Sequence, residues 1–168
     1  VHEGMRRLWY SRTMMFENKP APSEYREPWW IRAKFALQGR KKRRDELFAA
    51  DALVTTLDRF CADNALAPGL IKVDVDGYEG KVLRGAAGLL RDTQPVIMLE
   101  LHKDAKQRHG LLRRDVVGML FDADYRALFI TDHHNWERAR LVPAQRGDVL
   151  FARQETDMVL FVPPRLAE

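Results

Sequence analysis

Cysteine is almost absent: Cys61 is the only one, so no intrachain disulfide framework can form, and a reducing, cytoplasmic setting is expected. In LDRFCADNAL it falls on the apolar side of a short helix, where an inert buried thiol is commoner than a nucleophile. No apolar run approaches the ~20 residues that cross a bilayer, and the N-terminal residues lack the apolar stretch of a signal peptide. Membrane association is therefore not expected. Closely spaced glycines are also missing, since no two are separated by a single residue, and the G-x-G turn of a dinucleotide fingerprint is excluded from these 168 residues. Charge excess is small, at +4 with a pI near 9.4, and much of it sits in Arg40-Lys41-Lys42-Arg43-Arg44. Without interleaved aromatics that run reads as a solvated loop, and nucleic acid is not the expected partner.

What is present suffices for a globule: 46% hydrophobic and 10% aromatic residues can fill one packed core. The chain is organised around LIKVDVDGYEGKVLRGAAGLL, residues 70–90. It reads as a strand over 70–75, a tight acidic turn at Asp76-Gly77, and a helix from about Tyr78 to Leu90 carrying Val82, Leu83, Ala86, Leu89 and Leu90 at helical spacing. Alternation puts Ile71, Val73 and Val75 on one face of the strand and Lys72, Asp74 and Asp76 on the other. Strands covered by helices on both faces are usually apolar throughout, so those charges call for partners, solvent or a ligand. The carboxylates sit at the strand's C-terminal end, where open α/β sheets bind ligands.

These residues carry a resemblance. Ile71-Lys72-Val73-Asp74-Val75-Asp76-Gly77-Tyr78-Glu79, followed by Val82-Leu83-Arg84-Gly85-Ala86, resembles the signature of the FkbM family of S-adenosylmethionine-dependent methyltransferases. Thr56-Leu57-Asp58 upstream and Pro95 to His102 downstream fall where that family has similar segments, and the likeness spans roughly 54–131 with a weaker echo at 159–163. Asp76 departs from it, the family more often having Glu. The resemblance implies an α/β fold, the C-terminal half of a Rossmann-like class I methyltransferase sheet, mostly parallel with the last strand inserted antiparallel between its neighbours. It also implies S-adenosylmethionine as cofactor. A first strand, a Gly-rich turn and a second strand ending in an acid are not found. The chain, which begins at Val1, is accordingly expected to be the C-terminal portion of a longer methyltransferase or a truncated relative.

Elsewhere the pattern predicts one or two strands within 1–16, an irregular basic and proline-containing insertion over 17–50 with Trp29-Trp30 pinning it or lining an acceptor pocket, and the α/β region over 51–168. A short helix over 46–52 and a second over 57–64, N-capped by Thr56 with Leu57, Phe60 and Cys61 inward, are expected. Beyond the central helix come a strand over 96–101, a helix over 111–121 with Leu112, Val116, Met119 and Leu120 inward, a strand over 125–131, an irregular polar stretch over 132–155 and a strand over 158–162. Alternating strands and helices imply parallel pairing through crossovers. The strand at 70–75 would then have an open edge, to be covered by the segment near Met5 to Tyr10, by a missing N-terminal segment or by a second copy of the chain.

Parallel strands ~4.8 Å apart bring Asp74 and Asp76 beside Glu100 and His102. Methyl transfer to a hydroxyl needs the acceptor proton removed, which assigns Asp76 or His102 as base and Asp74 and Glu100 as orienting groups. Asp74, Asp76 and Glu100 are also a candidate Mg²⁺ set, since hard cations take oxygen ligands. The plainer account pairs Lys72 with an aspartate and leaves Asp76 or Gly77 to cap the helix, with Glu79 favourable at its N-terminus. Adjacent His133-His134 make a poor zinc site, and Arg113-Arg114 read as a solvated face. Two functions result: O-methylation of a hydroxyl on a sugar, small molecule or secondary metabolite, or a truncated, non-catalytic α/β scaffold that binds a partner.

Overall fold

The computed structural model describes residues 4–10, 15–17, 48–103, 111–135, 137–153 and 155–166. Trp29-Trp30, the basic run at 40–44 and most of the expected insertion lie outside the described residues. The chain forms two compact units, His2–Thr55 and Thr56–Glu168.

In the first unit β1 (Gly4–Tyr10), β2 (Met15–Glu17) and β3 (Phe48–Val54) form a three-stranded antiparallel sheet in the order β2-β1-β3. The two N-terminal strands were expected; β3 replaces the short helix expected over 46–52. Seven residues are too few for a stable lone helix despite the alanines, whereas the ladder from Gly4↔Val54 to Tyr10↔Phe48 pairs the whole segment with β1. β1 pairs with β2 and β3, which corrects the expectation that it covers the edge of the 70–75 strand.

The second unit contains α1 (Leu57–Asp63), β4 (Leu70–Val73), α2 (Glu79–Arg84), α3 (Ala87–Asp92), β5 (Val96–Leu101), α4 (Arg113–Phe121), β6 (Arg126–Thr131), β7 (Arg140–Ala144) and β8 (Asp157–Val162). Thr56 caps α1 as expected, its hydroxyl accepting from the Arg59 amide at 3.1 Å. Phe60 turns outward, leaving Leu57 and buried Cys61 on the inner side. The single helix expected from Tyr78 to Leu90 is broken at Gly85-Ala86. Asp58 explains the second start: its two carboxylate oxygens accept from the Gly88 and Leu89 amides at 2.8 and 2.9 Å and so cap α3 from a neighbouring helix. On α4, Val116, Val117 and Leu120 are buried, Met119 is half-buried, and Leu112 is more exposed than its predicted inward place.

The sheet order is β4-β5-β8-β6-β7. β4 and β5 are parallel from Leu70↔Val96 to Val73↔Leu99, and β8 runs antiparallel between β5 and β6. The inserted last strand agrees with the expectation: β4, β5 and β6 run in one direction with β8 against them, and among the described strands of this sheet the departure is β7, a second antiparallel strand. β7 is a further correction, a strand inside the stretch expected to be irregular. It pairs antiparallel with β6 at the sheet's edge, where Pro143, lacking an N–H, is tolerated. The core gathers on one face, with Leu99, Leu101, Val116, Leu120, Val159 and Phe161 sealed from solvent and Phe121 set edge-on to Phe151 and Phe161 at 5.8 Å. Along β5 the other face is only half-buried, and Lys72 and Asp74 on the polar side of β4 are exposed.

Arg113 contradicts the expectation of a solvated Arg113-Arg114 face, although Arg114 is exposed. Its guanidinium is buried and pairs with Asp157 at 2.5 Å, donating as well to the carbonyls of Leu101 at 3.1 Å, Phe151 at 3.3 Å and Glu155. Leu101 and Asp157 are partners in the β5/β8 ladder, so one side chain ties that rung to α4. Removing one member of a buried pair strands the other charge. Arg113→Ala should cost about 3–5 kcal/mol in urea denaturation, and Arg113→Met less than that in combination with Asp157→Leu. A loss below ~1 kcal/mol for Arg113→Ala would show the pair to be energetically idle.

Candidate active site at the ends of β4 and β5

The site grows from the β4/β5 register. With Val73 opposite Leu99, the next residues, Asp74 and Glu100, are neighbours, and Asp76 and His102 follow at the C-terminal ends of the two strands. The turn after β4 has positive φ at both Asp76 (47°) and Gly77 (95°). Glycine takes that conformation freely and aspartate more readily than most other residues, so both suit the turn. The turn delivers the chain to α2, whose N-cap is Tyr78 without a side-chain bond; neither Asp76 nor Gly77 caps it, contrary to expectation.

The four residues singled out from the sequence converge. Nε2 of His102 lies 3.3 Å from Oδ1 of Asp76 and 3.8 Å from Oε1 of Glu100. Exposure is graded: Asp76 has 73% of its side chain accessible and Glu100 25%, whereas His102 has 4%. Asp74 is engaged by Lys72 at 2.9 Å, as the plainer reading anticipated. The hydrogen bond from Lys72 holds the Asp74 carboxyl below its ordinary range, and the same bond, with the charge of Asp74, raises the Lys72 ammonium. Burial pushes the Glu100 carboxyl up, helped by the negative charge of Asp74 beside it.

Sequence reasoning assigned Glu79 no more than a favourable charge at a helix start. It is fully buried, and its Oε1 sits 2.6 Å from Nδ1 of His102 while accepting from the Gly77 amide at 3.0 Å. Its signal in the sequence was faint: an acid in the first turn of a helix normally faces water, and only the fold turns this one inward.

Among the described residues, Asp74, Glu100 and His102 are the group whose donor atoms all lie within 4.8 Å of one another. His102 thus takes the place expected for Asp76 in a Mg²⁺ set. An imidazole in the set and an ammonium already on Asp74 suit a hard, oxygen-seeking cation poorly, so the residues do not fit Mg²⁺. His133 and His134 stack with ring centres 3.9 Å apart and belong to no such cluster among the described residues.

The family model of the methyltransferase FkbM domain matches residues 32–136. The chain belongs to that family. No curated protein and no solved structure matches it. The FkbM match begins upstream of the likeness read from residues 54–131 and contains every acidic and imidazole group of the rim. No helix among the described residues is long and apolar enough to cross a membrane.

Because the folded state raises the Glu100 pKa, the ionised form is disfavoured there; the folded state binds the proton more tightly, and stability falls as pH rises through the ordinary carboxylate value toward the raised one. Glu100→Gln should therefore raise the denaturation midpoint at neutral pH, with the gain disappearing below the ordinary value of 4.5. A midpoint that drops at neutral pH would show that ionised Glu100 is held by favourable partners instead.

Proposed function

We propose that this FkbM-domain protein transfers a methyl group from S-adenosylmethionine to a hydroxyl of a sugar or another small molecule, including secondary metabolites. The supporting observation is the meeting of Asp76, Glu100 and His102 at the C-terminal ends of adjacent parallel strands, with Asp76 3.3 Å from Nε2. S-adenosylmethionine supplies an electrophilic methyl group on a cationic sulfonium. The carboxylates of Asp76 and Glu100 suit that positive end by charge, and they are the residues that would face it.

The chain's own groups handle the proton. An acceptor hydroxyl seated against the rim would hydrogen-bond to Nε2 of His102 and give its proton to that nitrogen as its oxygen bonds the methyl carbon and the carbon–sulfur bond breaks, with S-adenosylhomocysteine as the leaving group. Of the two candidate bases, His102 is favoured over Asp76 by its burial, which fixes the ring and shields it from bulk water. Asp76 and Glu100 orient the hydroxyl and offset the charge on the imidazolium, and Asp74, held by Lys72, completes the negative rim.

The test is transfer of a labelled methyl group from S-adenosylmethionine to a panel of hydroxylated acceptors. His102→Ala should lower kcat by about 10²- to 10⁴-fold, the contribution typical of a general base, and Asp76→Asn by less. Asparagine tolerates the positive φ at 76, so that variant keeps the turn. A larger loss for Asp76→Asn than for His102→Ala would make Asp76 the base.

One observation favours a second reading, a partner-binding scaffold. Leu70 on β4 is 57% exposed, no strand pairs with the outer edge of β4 among the described residues, and an apolar recess of about 270 Å³ lies beside it, lined by Leu57, Phe60, Cys61, Leu66, Pro68 and Ile71. A dimer that Leu70→Lys dissociates, in a protein that transfers no methyl group, would support it.

A further inference from the structure

We propose that Glu79 is the positioning residue of this site: its buried carboxylate holds the His102 ring in the tautomer with the proton on Nδ1, so that the lone pair of Nε2 faces the acidic rim and takes the acceptor's proton. The inference rests on the reading of His102 as the base.

A carboxylate sealed from solvent is expensive, and a charge placed at a helix N-terminus for the dipole alone could stay in water at no such cost. The position of Glu79 is therefore explained by what it touches. Its Oε1 accepts the Gly77 amide at 3.0 Å and meets Nδ1 of His102 at 2.6 Å, whereas the acceptors on the other side, Asp76 and Glu100, stand 3.3 and 3.8 Å from Nε2, so the shorter contact places the hydrogen on Nδ1. The short separation is that of a charge-assisted bond. The other oxygen, Oε2, has no hydrogen-bond partner among the described residues.

Every neighbouring element contributes to the constraint. Gly77, at φ 95°, aims its amide back at Glu79; α2 supplies Glu79 from its first residue; β5 ends one residue before His102. Among the described residues, the charged groups facing the ring include Glu79 on the Nδ1 side and Asp76 and Glu100 on the Nε2 side, with Asp74 and its partner Lys72 beyond. When Nε2 takes a proton the ring becomes a cation, and the carboxylate across from it stabilises that state. A ring free to rotate or to carry its hydrogen on Nε2 would present a donor to the acceptor hydroxyl and could not remove its proton.

The deciding experiment is the long-range ¹H–¹⁵N correlation spectrum of the His102 ring, recorded at a pH where the ring is neutral, in the wild type and in Glu79→Gln. The Nδ1–H form should dominate in the wild type and lose that dominance in Glu79→Gln. In the same variant kcat should fall, by up to the ~10⁴-fold that a general base contributes, with KM little changed. A wild-type ring carrying its hydrogen on Nε2 would overturn the proposal. So would a Glu79→Gln protein that keeps both the Nδ1–H form and its kcat, or one that changes KM alone. If Glu79→Gln does not fold, the wild-type spectrum decides by itself. If no acceptor is methylated, the methyltransferase reading fails while the tautomer still reports whether Glu79 sets the ring.

Discussion

The buried guanidinium of Arg113 is where the helical layer, the sheet and the site are made dependent on one another. It bonds to the carbonyl of Leu101 and the carboxylate of Asp157, which face each other across β5 and β8. β8 is the strand that enters last and runs against its neighbours, so its register cannot be inherited from a short hairpin. A one-residue slip would turn Val159 and Phe161 out of the core and would separate Asp157 from Arg113. Leu101 is also the residue before His102, and the same guanidinium therefore holds the strand end that carries the imidazole.

The rim on this frame separates two kinds of acid. Asp74 and Asp76 remain accessible, the first neutralised by Lys72, and can meet a ligand without a large desolvation penalty. Glu79 is hidden and faces only the far side of the histidine ring and the turn. A proton acceptor needs both: an outer surface able to receive the acceptor molecule and an inner partner that removes the freedom of the ring.

Much of this was legible from local pattern. The strand at Leu70, the apolar run at Val96 to Leu101 and the final strand at Met158 to Val162 were readable because their side chains alternate or run apolar between clear turn signals. Thr56 was readable as a cap because capping needs only residues close in the chain. The failures have a common cause. β3 looked like a helix because its alanines and leucine favour one locally, and a distant strand overrode them. β7 was hidden by Pro143 and by charges, which an edge strand accepts. The break between α2 and α3 depends on Asp58, some thirty residues away in the chain.

The sequence by itself determined the acidic strand end, the identity of the four ionisable residues on it and the likeness that led to the FkbM family, because strand alternation and motif order are properties of neighbouring residues. Tertiary structure alone decided which acid is buried against the imidazole, which arginine is a solvated charge and which a core tie, and that Arg140–Ala144 forms an edge strand beside β6. Those are questions of desolvation and of pairing between distant segments, and their energies depend on groups that the local sequence does not bring together.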